Sequence, residues 1–388
     1  MRNYIEETHR NVRLQEGVRV IEQMLIQCYM RPGISTKDLA RDVLLPVPVS
    51  TAIKKELIKA GILQQESGVQ CTKLGKEYIE NRVGYGGLDK ALYQKLMIND
   101  TGWRIELKDI LSTMEGLFTL RPQVNVQIDQ SKCTAETSLR RAILCLRDYS
   151  LIGKKILCVG DDDLVSVSLA LLLMRLFPTE RKLPVTIDVI DIDERFLRYI
   201  KEIAVQKKLP IRVHQVDLRY ALPEQLHAQY DCFFTDPPYT LQGMSLFLSR
   251  GVTALQKQKG LSVFLSFAHK SPDFMLSMHR EFVEMGLMVR EIISNFNEYE
   301  GAQMIGNRGQ MIVLTTTEHT TPKISNSFKD PFYTGEIKRT LRTYRCKKCN
   351  ESILVGIEGR FTTIEELKNQ RCPRCRNNKF ELVLKSRK

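Results

Sequence analysis

The stretch Lys154-Lys155-Ile156-Leu157-Cys158-Val159-Gly160-Asp161-Asp162-Asp163 decides the fold. It sets a lysine pair, a short apolar strand, one glycine and three carboxylates in a row, and a helical run over residues 164–177 follows at once. Strand, tight turn and helix in that order open a doubly wound α/β domain, whose ligands bind outside the carboxyl ends of the strands. In most nucleotide-binding turns of this kind, glycines let backbone N–H groups approach an anion. Here glycine is followed by acid. Such a turn repels a phosphate or a carboxylate and attracts a cation.

Downstream, strands and helices alternate. Residues 183–192 read as a second strand ending in Asp191-Ile192-Asp193, and residues 194–207 as a helix. A third strand over 211–217 ends in Asp217, and a fourth over 230–235 runs into Asp236-Pro237-Pro238-Tyr239. A helix (246–257), a strand (261–267), a helix (273–285) and an antiparallel pair (288–294 with 310–316) complete a largely parallel α/β sheet.

Upstream, the spacing predicts helices over 18–30, 36–44 and 51–60, then a small hairpin near residues 62–71. That order is a winged helix-turn-helix pattern, which serves either DNA binding through its third helix or dimerisation and gating on an enzyme. The third helix offers Lys54, Lys55 and Lys59. Residues 81–150 read as a helical lead-in. Within it, Asp129 and Glu136 in a polar connection fit either a lid over the site or a helix start with Thr134 and Thr137.

At the other end, residues 321–344 read as a linker. Cys346-Lys347-Lys348-Cys349 and Cys372-Pro373-Arg374-Cys375 follow, two Cys-x-x-Cys knuckles with the spacing of a zinc ribbon. Four thiolates leave no open coordination position, so this zinc is expected to be structural. The expected domains are therefore 1–80, 81–320, a linker over 321–344, and a ribbon over 345–388.

The net charge of +13 is unevenly distributed. Residues 1–80 carry 12 basic against 10 acidic side chains, residues 81–319 carry 29 against 28, and residues 320–388 carry 17 against 7. The α/β domain is close to neutral, so an argument for nucleic acid from total charge applies only to the tail, and binding there is not favoured. No apolar run approaches the ~18 residues of a membrane span, and nothing resembles a signal peptide. Together with six scattered cysteines (Cys28, Cys71, Cys133, Cys145, Cys158, Cys232) that read as reduced buried thiols, this predicts a cytoplasmic protein without a membrane partner.

Acids at the ends of four consecutive strands resemble the layout of the class I methyltransferase fold, a Rossmann-like architecture. The resemblance implies that Gly160 lies beside the cofactor, that Asp191 binds the ribose hydroxyls, and that Asp217 reaches the adenine amino group. Asp236-Pro237-Pro238-Tyr239 resembles the motif of methyltransferases acting on amino groups. Its carboxylate and a proline-fixed carbonyl accept hydrogen bonds from an amine, and Tyr239 supplies a flat wall.

Ordinary S-adenosylmethionine would set its carboxylate near the acidic turn. Decarboxylated S-adenosylmethionine ends in an ammonium and suits it, and a polyamine needs carboxylates at intervals, such as Asp129, the aspartate triplet and Asp236. Over residues 10–320 the chain resembles the branched-chain polyamine synthase family, N4-bis(aminopropyl)spermidine synthase. That resemblance implies aminopropyl transfer to the central amine of spermidine, with release of methylthioadenosine. Asp162 is then the expected catalytic base, and Asp236, which receives the reacting amine, is the second expected catalytic residue. Asp161 and Asp163 are expected to fix ammonium groups, with Asp129, Pro237 and Tyr239 in the acceptor site, in a protein expected to be a homodimer. Two other readings are an amino-group methyltransferase acting on nucleic acid and a polyamine-sensing DNA-binding regulator.

Overall fold

The computed structural model describes residues 2–98, 101–179, 183, 185–300, 306–337, 340–356, 359–361 and 364–387. The chain opens with helices Tyr4–Val12, Arg19–Met30, Thr36–Asp42 and Val47–Lys59 and a hairpin of β1 (Leu63–Gln65) and β2 (Val69–Cys71). The last of these helices starts four residues earlier than the spacing predicted. Pro46 is its N-cap and Pro48 lies in its first turn, where a missing N–H has no partner to lose. Ser50 is thereby buried inside the helix. Lys54 is also buried, donating to Thr36 at 2.9 Å and Gln65 at 2.8 Å, so it braces the unit and is not presented for DNA.

This N-terminal unit shares one apolar core with the rest of the chain. Arg19 reaches the carbonyl of Gly260 at 2.8 Å and pairs with Asp148 at 2.5 Å. Lys154 pairs with Glu22 at 2.6 Å. Three strand-end or helix-end groups of the α/β domain are thus tied to one helix, Arg19–Met30.

The central sheet has eight strands: β3 (Lys132–Cys133), β4 (Lys155–Val159), β5 (Thr186–Asp191), β6 (Ile211–Gln215), β7 (Cys232–Thr235), β8 (Ser262–Ala268), β9 (Leu287–Glu300) and β10 (Arg308–Thr316). Their spatial order is β3-β9-β10-β8-β7-β4-β5-β6. The five strands from β8 to β6 run parallel, while β10, β9 and β3 are antiparallel additions. Helices on both faces bury the parallel strands, which is why Ile156 to Val159 and all of β8 read as unbroken apolar or small runs. The strand order reverses between β4 and β7, the position at which such sheets open a ligand crevice.

Residues 321–337 are not a free linker. Arg250, buried in the helix Leu241–Ala254, donates to the carbonyls of Ile324 at 2.7 Å and Asn326 at 2.8 Å. The Phe328 amide donates to the Arg219 carbonyl at 2.7 Å, and Phe332 is buried. The segment is a strap laid across the strand ends. After it, β11 (Thr340–Cys346), β12 (Ser352–Val355) and β13 (Phe380–Arg387) form a separate three-stranded antiparallel sheet in the order β12-β11-β13. Among the described residues, no helix is long and apolar enough to cross a membrane.

Candidate active site

The crevice at the strand ends holds a cavity with about 670 Å³ of empty space, the open solvent at its mouth included. Asp129, Asp162, Asp191, Asp217 and Asp236 line it, and among the described residues no lysine, arginine or histidine does. Pro237 and Tyr239 form one wall and Gly160 part of another. Gly160 has φ +75°, and a Cβ there would make only an ordinary 3.6 Å contact with Phe247. The dihedral, not crowding, therefore calls for glycine.

The three consecutive aspartates do three different things. Asp161 is turned inward and accepts from the amides of Val165 at 2.7 Å and Ser166 at 3.1 Å, capping the helix Val165–Leu176. Burial raises its pKa to about 7 even though those amides favour the charged form. Asp163 is also buried and pairs with Arg141 at 2.7 Å while accepting from the Cys133 amide at 3.2 Å. Burial opposes its ionisation, but Arg141 and then Arg121 outweigh that, and its pKa falls.

Neither Asp161 nor Asp163 lines the cavity, which departs from the ammonium-fixing role expected of them. Asp162 does line it. Its carboxylate accepts from the Ser131 amide at 3.2 Å, and burial together with the charges of Asp163, Asp191 and Asp236 drives its pKa well above the usual carboxylate range.

Arg141, on the helix Ala135–Arg147 and buried, is the group that sequence reasoning missed. Its guanidinium spans Asp163, Asp236 at 2.9 Å and Asn297 at 3.0 Å. Asp236 also accepts from Tyr299 at 2.7 Å on the same oxygen and from Tyr239 at 3.0 Å on the other. Burial lifts its pKa to about 6, with Arg141 pulling the other way. Asp236 is thus ion-paired and nearly saturated, with open acceptor capacity on the oxygen that faces Tyr239. Among the described residues, none forms such an ion pair with Asp162. It is the carboxylate of the crevice best placed to meet an incoming one.

The remaining acids sit where the strand ends put them. Asp191 accepts from the amides of Asp161 at 3.1 Å and Asp193 at 2.8 Å, and burial raises its pKa. Asp217 accepts from the Arg219 amide at 2.9 Å. Asp129 accepts from Thr334 of the strap at 2.6 Å, and burial raises its pKa as well. Both readings of this segment hold in part: Asp129 lines the cavity, while Thr134 caps the helix by accepting from Thr137 at 3.1 Å. Glu136 pairs instead with Arg104 on the surface.

Two further lining residues come from the strap. Phe332 and Tyr333 face the cavity, with the Arg219 guanidinium 4.6 Å from the first ring and paired with Glu336 at 2.7 Å.

Apart from this crevice, the sulfurs of Cys346, Cys349, Cys372 and Cys375 lie within 4.8 Å of one another. Cys346 and Cys375 are 3.5 Å apart, and Cys349 and Cys372 are 3.6 Å apart. Tetrahedral coordination by thiolates at ~2.3 Å sets sulfurs roughly 3.8 Å apart, so this set can hold a metal ion.

A mostly parallel α/β sheet whose crevice collects five acids and, among the described residues, no basic side chain is suited to cationic small molecules. Comparison with known proteins makes this specific. A sequence model of the branched-chain polyamine synthase A C-terminal domain matches residues 109–356, and the chain belongs to that family. It is 36% identical over 377 residues to an uncharacterized protein of Methanocaldococcus jannaschii, covering 95% of this chain and 90% of that protein.

Two proteins named N(4)-bis(aminopropyl)spermidine synthase also match. The one from Thermococcus kodakarensis is 30% identical over 77% of this chain and 83% of its own length. The one from Methanocaldococcus jannaschii is 31% identical over 66% and 70%. The Thermus thermophilus branched-chain polyamine synthase, solved with N4-aminopropylspermidine and 5'-methylthioadenosine, superposes with a TM-score of 0.50. It is 23% identical over 86% of this chain and 96% of its own, a likeness of fold.

Proposed function

We propose that this chain moves aminopropyl groups from decarboxylated S-adenosylmethionine to the central secondary amine of spermidine, releasing methylthioadenosine. The observation that carries this reading is the cavity wall: five carboxylates and, among the described residues, no basic side chain. A phosphate backbone, or the carboxylate of ordinary S-adenosylmethionine, would be repelled there, whereas ammonium groups on donor and acceptor are attracted. The names of the relatives, and the two ligands of the Thermus thermophilus protein, agree with that chemistry.

In this reading Asp191 receives the ribose hydroxyls and Asp217 the adenine amino group, with Phe332 and Tyr333 closing over the nucleoside. The acceptor lies along Asp129, Pro237 and Tyr239. Its nitrogen lone pair attacks the carbon bonded to the sulfonium, the C–S bond breaks, and its electron pair stays on sulfur as neutral methylthioadenosine. The proton lost from the attacking nitrogen goes to Asp162. Carboxylates around a polyamine hold its amines protonated, which opposes attack. A base of raised pKa, itself within reach and, among the described residues, without an ion-pair partner, resolves that tension. A second transfer, onto a tertiary amine, gives a quaternary nitrogen and releases no proton from it, so Asp162 matters most in the first round.

We read residues 1–80 as a winged helix-turn-helix unit that buttresses the α/β domain through Arg19 and Glu22. Residues 345–388 read as a ribbon whose zinc is held by Cys346, Cys349, Cys372 and Cys375. The ion supplies folding energy to a small sheet and takes no part in transfer.

The test is incubation with decarboxylated S-adenosylmethionine and spermidine, in parallel with S-adenosylmethionine and DNA or RNA. Methylthioadenosine in the first arm is expected. S-adenosylhomocysteine in the second, with none in the first, overturns the reading in favour of a nucleic-acid methyltransferase.

A further inference from the structure

The strands β4 to β7 each lead into an acid, but β8 leads into His269-Lys270. Lys270 follows the fifth parallel strand and so emerges at the same end of the sheet as the crevice. Its ammonium lies 5.1 Å from the centre of the Phe274 ring, 5.7 Å from Phe267 and 5.8 Å from Tyr239. The three rings are in contact, Tyr239 edge-on to Phe267 at 5.1 Å and Phe267 stacked on Phe274 at 6.1 Å. A cage of this kind is how proteins bind an ammonium group, and here it is filled by the chain's own.

The Tyr239 ring is a shared wall, lining the cavity and forming part of the cage. The Lys270 charge reaches Asp129 on the cavity lining, where it favours the ionised carboxylate. Two features suited to a substrate ammonium, an aromatic cage and a carboxylate of the cavity, therefore already meet the chain's own cation from outside the cavity lining.

We infer that Lys270 stands in for one ammonium of a polyamine at the acceptor end of the cavity, and so selects the acceptor of lower charge. This rests on the aminopropyltransfer reading and deepens it. An acceptor arm running along Tyr239 toward Asp129 meets a positive charge it cannot displace. A triamine can place its free arm elsewhere among Asp162 and Asp236. A tetraamine such as N4-aminopropylspermidine carries one more ammonium and has to bring it toward Lys270. The first aminopropyl addition is thereby favoured over the second, and the mono-aminopropylated product accumulates.

The experiment measures kcat/KM for spermidine and for N4-aminopropylspermidine, with decarboxylated S-adenosylmethionine as donor, in the natural protein and in Lys270→Met and Lys270→Arg. A ratio of two acceptors within one variant is insensitive to any fraction lost to misfolding. Lys270→Met is expected to move the ratio toward the tetraamine by at least tenfold, and Lys270→Arg to keep the original preference. That preference is also expected to weaken with added salt in the natural protein and in Lys270→Arg but not in Lys270→Met. An unchanged ratio in Lys270→Met, or an equal change in both variants, overturns the role of Lys270 and leaves aminopropyl transfer standing. Absence of methylthioadenosine with either amine in the natural protein overturns the underlying reading itself, and this inference with it.

Discussion

At the strand ends, Asp161, Asp163 and Asp191 are buried beside Asp162 and Asp236, with the Arg141 guanidinium bridging only Asp163 and Asp236. In the C-terminal sheet the charge is of the opposite sign, and its apolar interior among the described residues is Ile353, Val355, Phe361 and Leu367 beside Cys346 and Cys372. The first region tolerates unbalanced negative charge because an eight-stranded sheet with helices on both faces holds the backbone in place whether or not a ligand is bound. The second has no comparable core. Leu354, Leu382, Val383 and Leu384 are exposed on its strands, and a sheet of that size needs a staple. One region gathers carboxylates around a rigid sheet; the other gathers four cysteine sulfurs around a small one.

The largest effect that would sharpen this contrast is at Asp162. Asp162→Asn keeps shape and hydrogen bonding but removes the proton acceptor, and turnover with spermidine is expected to fall by about two to four orders of magnitude. Binding of both substrates, followed by calorimetry, should weaken far less. Near-normal turnover would pass the base role to Asp236 and would mean that the unpaired carboxylate is incidental.

Next is Arg141. Arg141→Met leaves Asp163 and Asp236 buried without their shared cation, and breaking a buried ion pair from one side costs about 3–5 kcal/mol. Urea unfolding of the full chain measures this. A loss below about 1 kcal/mol would show that the crevice does not need internal neutralisation, and the first half of the comparison would fail. The ribbon tests the second half. Chelation, or Cys372→Ser, is expected to expose residues 345–388 to protease while the main thermal transition moves by roughly 1–2 °C at most, since among the described residues the C-terminal sheet shares no apolar cluster with the large sheet. A main transition that collapses with the metal would make the two regions one cooperative unit.

Much of this was legible because parallel strands bury unbroken apolar runs and punctuate them with the residues of the crevice. Asp191, Asp217 and Asp236 sit at or just after β5, β6 and β7 as the pattern required. The direction of each side chain in the triplet was not legible. Gly160 at φ +75° and Leu164 at φ 52° bracket it, and such a turn sends adjacent Cβ atoms to different sides. Asp161 therefore caps, Asp163 pairs, and only Asp162 opens outward.

Arg141 was hidden by its neighbour. Arg140 stacks on Phe296 at 4.5 Å, while Arg141 lies in line with Ser138 and Cys145, small residues that leave room for a buried guanidinium. The strap was misread from its prolines and polar residues. The aromatic trio Phe328, Phe332 and Tyr333 was the contrary signal, since a solvated linker has no use for three rings.

The smallest effect concerns Asp161, and it separates scaffold from chemistry within a single loop. Its folded pKa of about 7 lies above the ~3.9 of an unfolded aspartate. The native chain thus binds this proton more tightly than the unfolded chain does. Stability from this group is fully present at low pH and declines as pH rises from about 4 to about 7. Asp161→Asn cannot titrate but can still accept from Val165 and Ser166, so its cap costs less than the ~1 kcal/mol of full removal. The natural protein should therefore lead the variant most clearly at about pH 4 and below, and the gap should shrink or reverse by about pH 7, read from urea midpoints at each pH. Turnover per folded molecule should stay within a few-fold, in contrast to Asp162→Asn. A pH-independent gap would mean that the Asp161 proton is bound alike in folded and unfolded chains. A loss of turnover matching that of Asp162→Asn would mean that the two aspartates act on the substrate together, against the division of labour their hydrogen bonds describe.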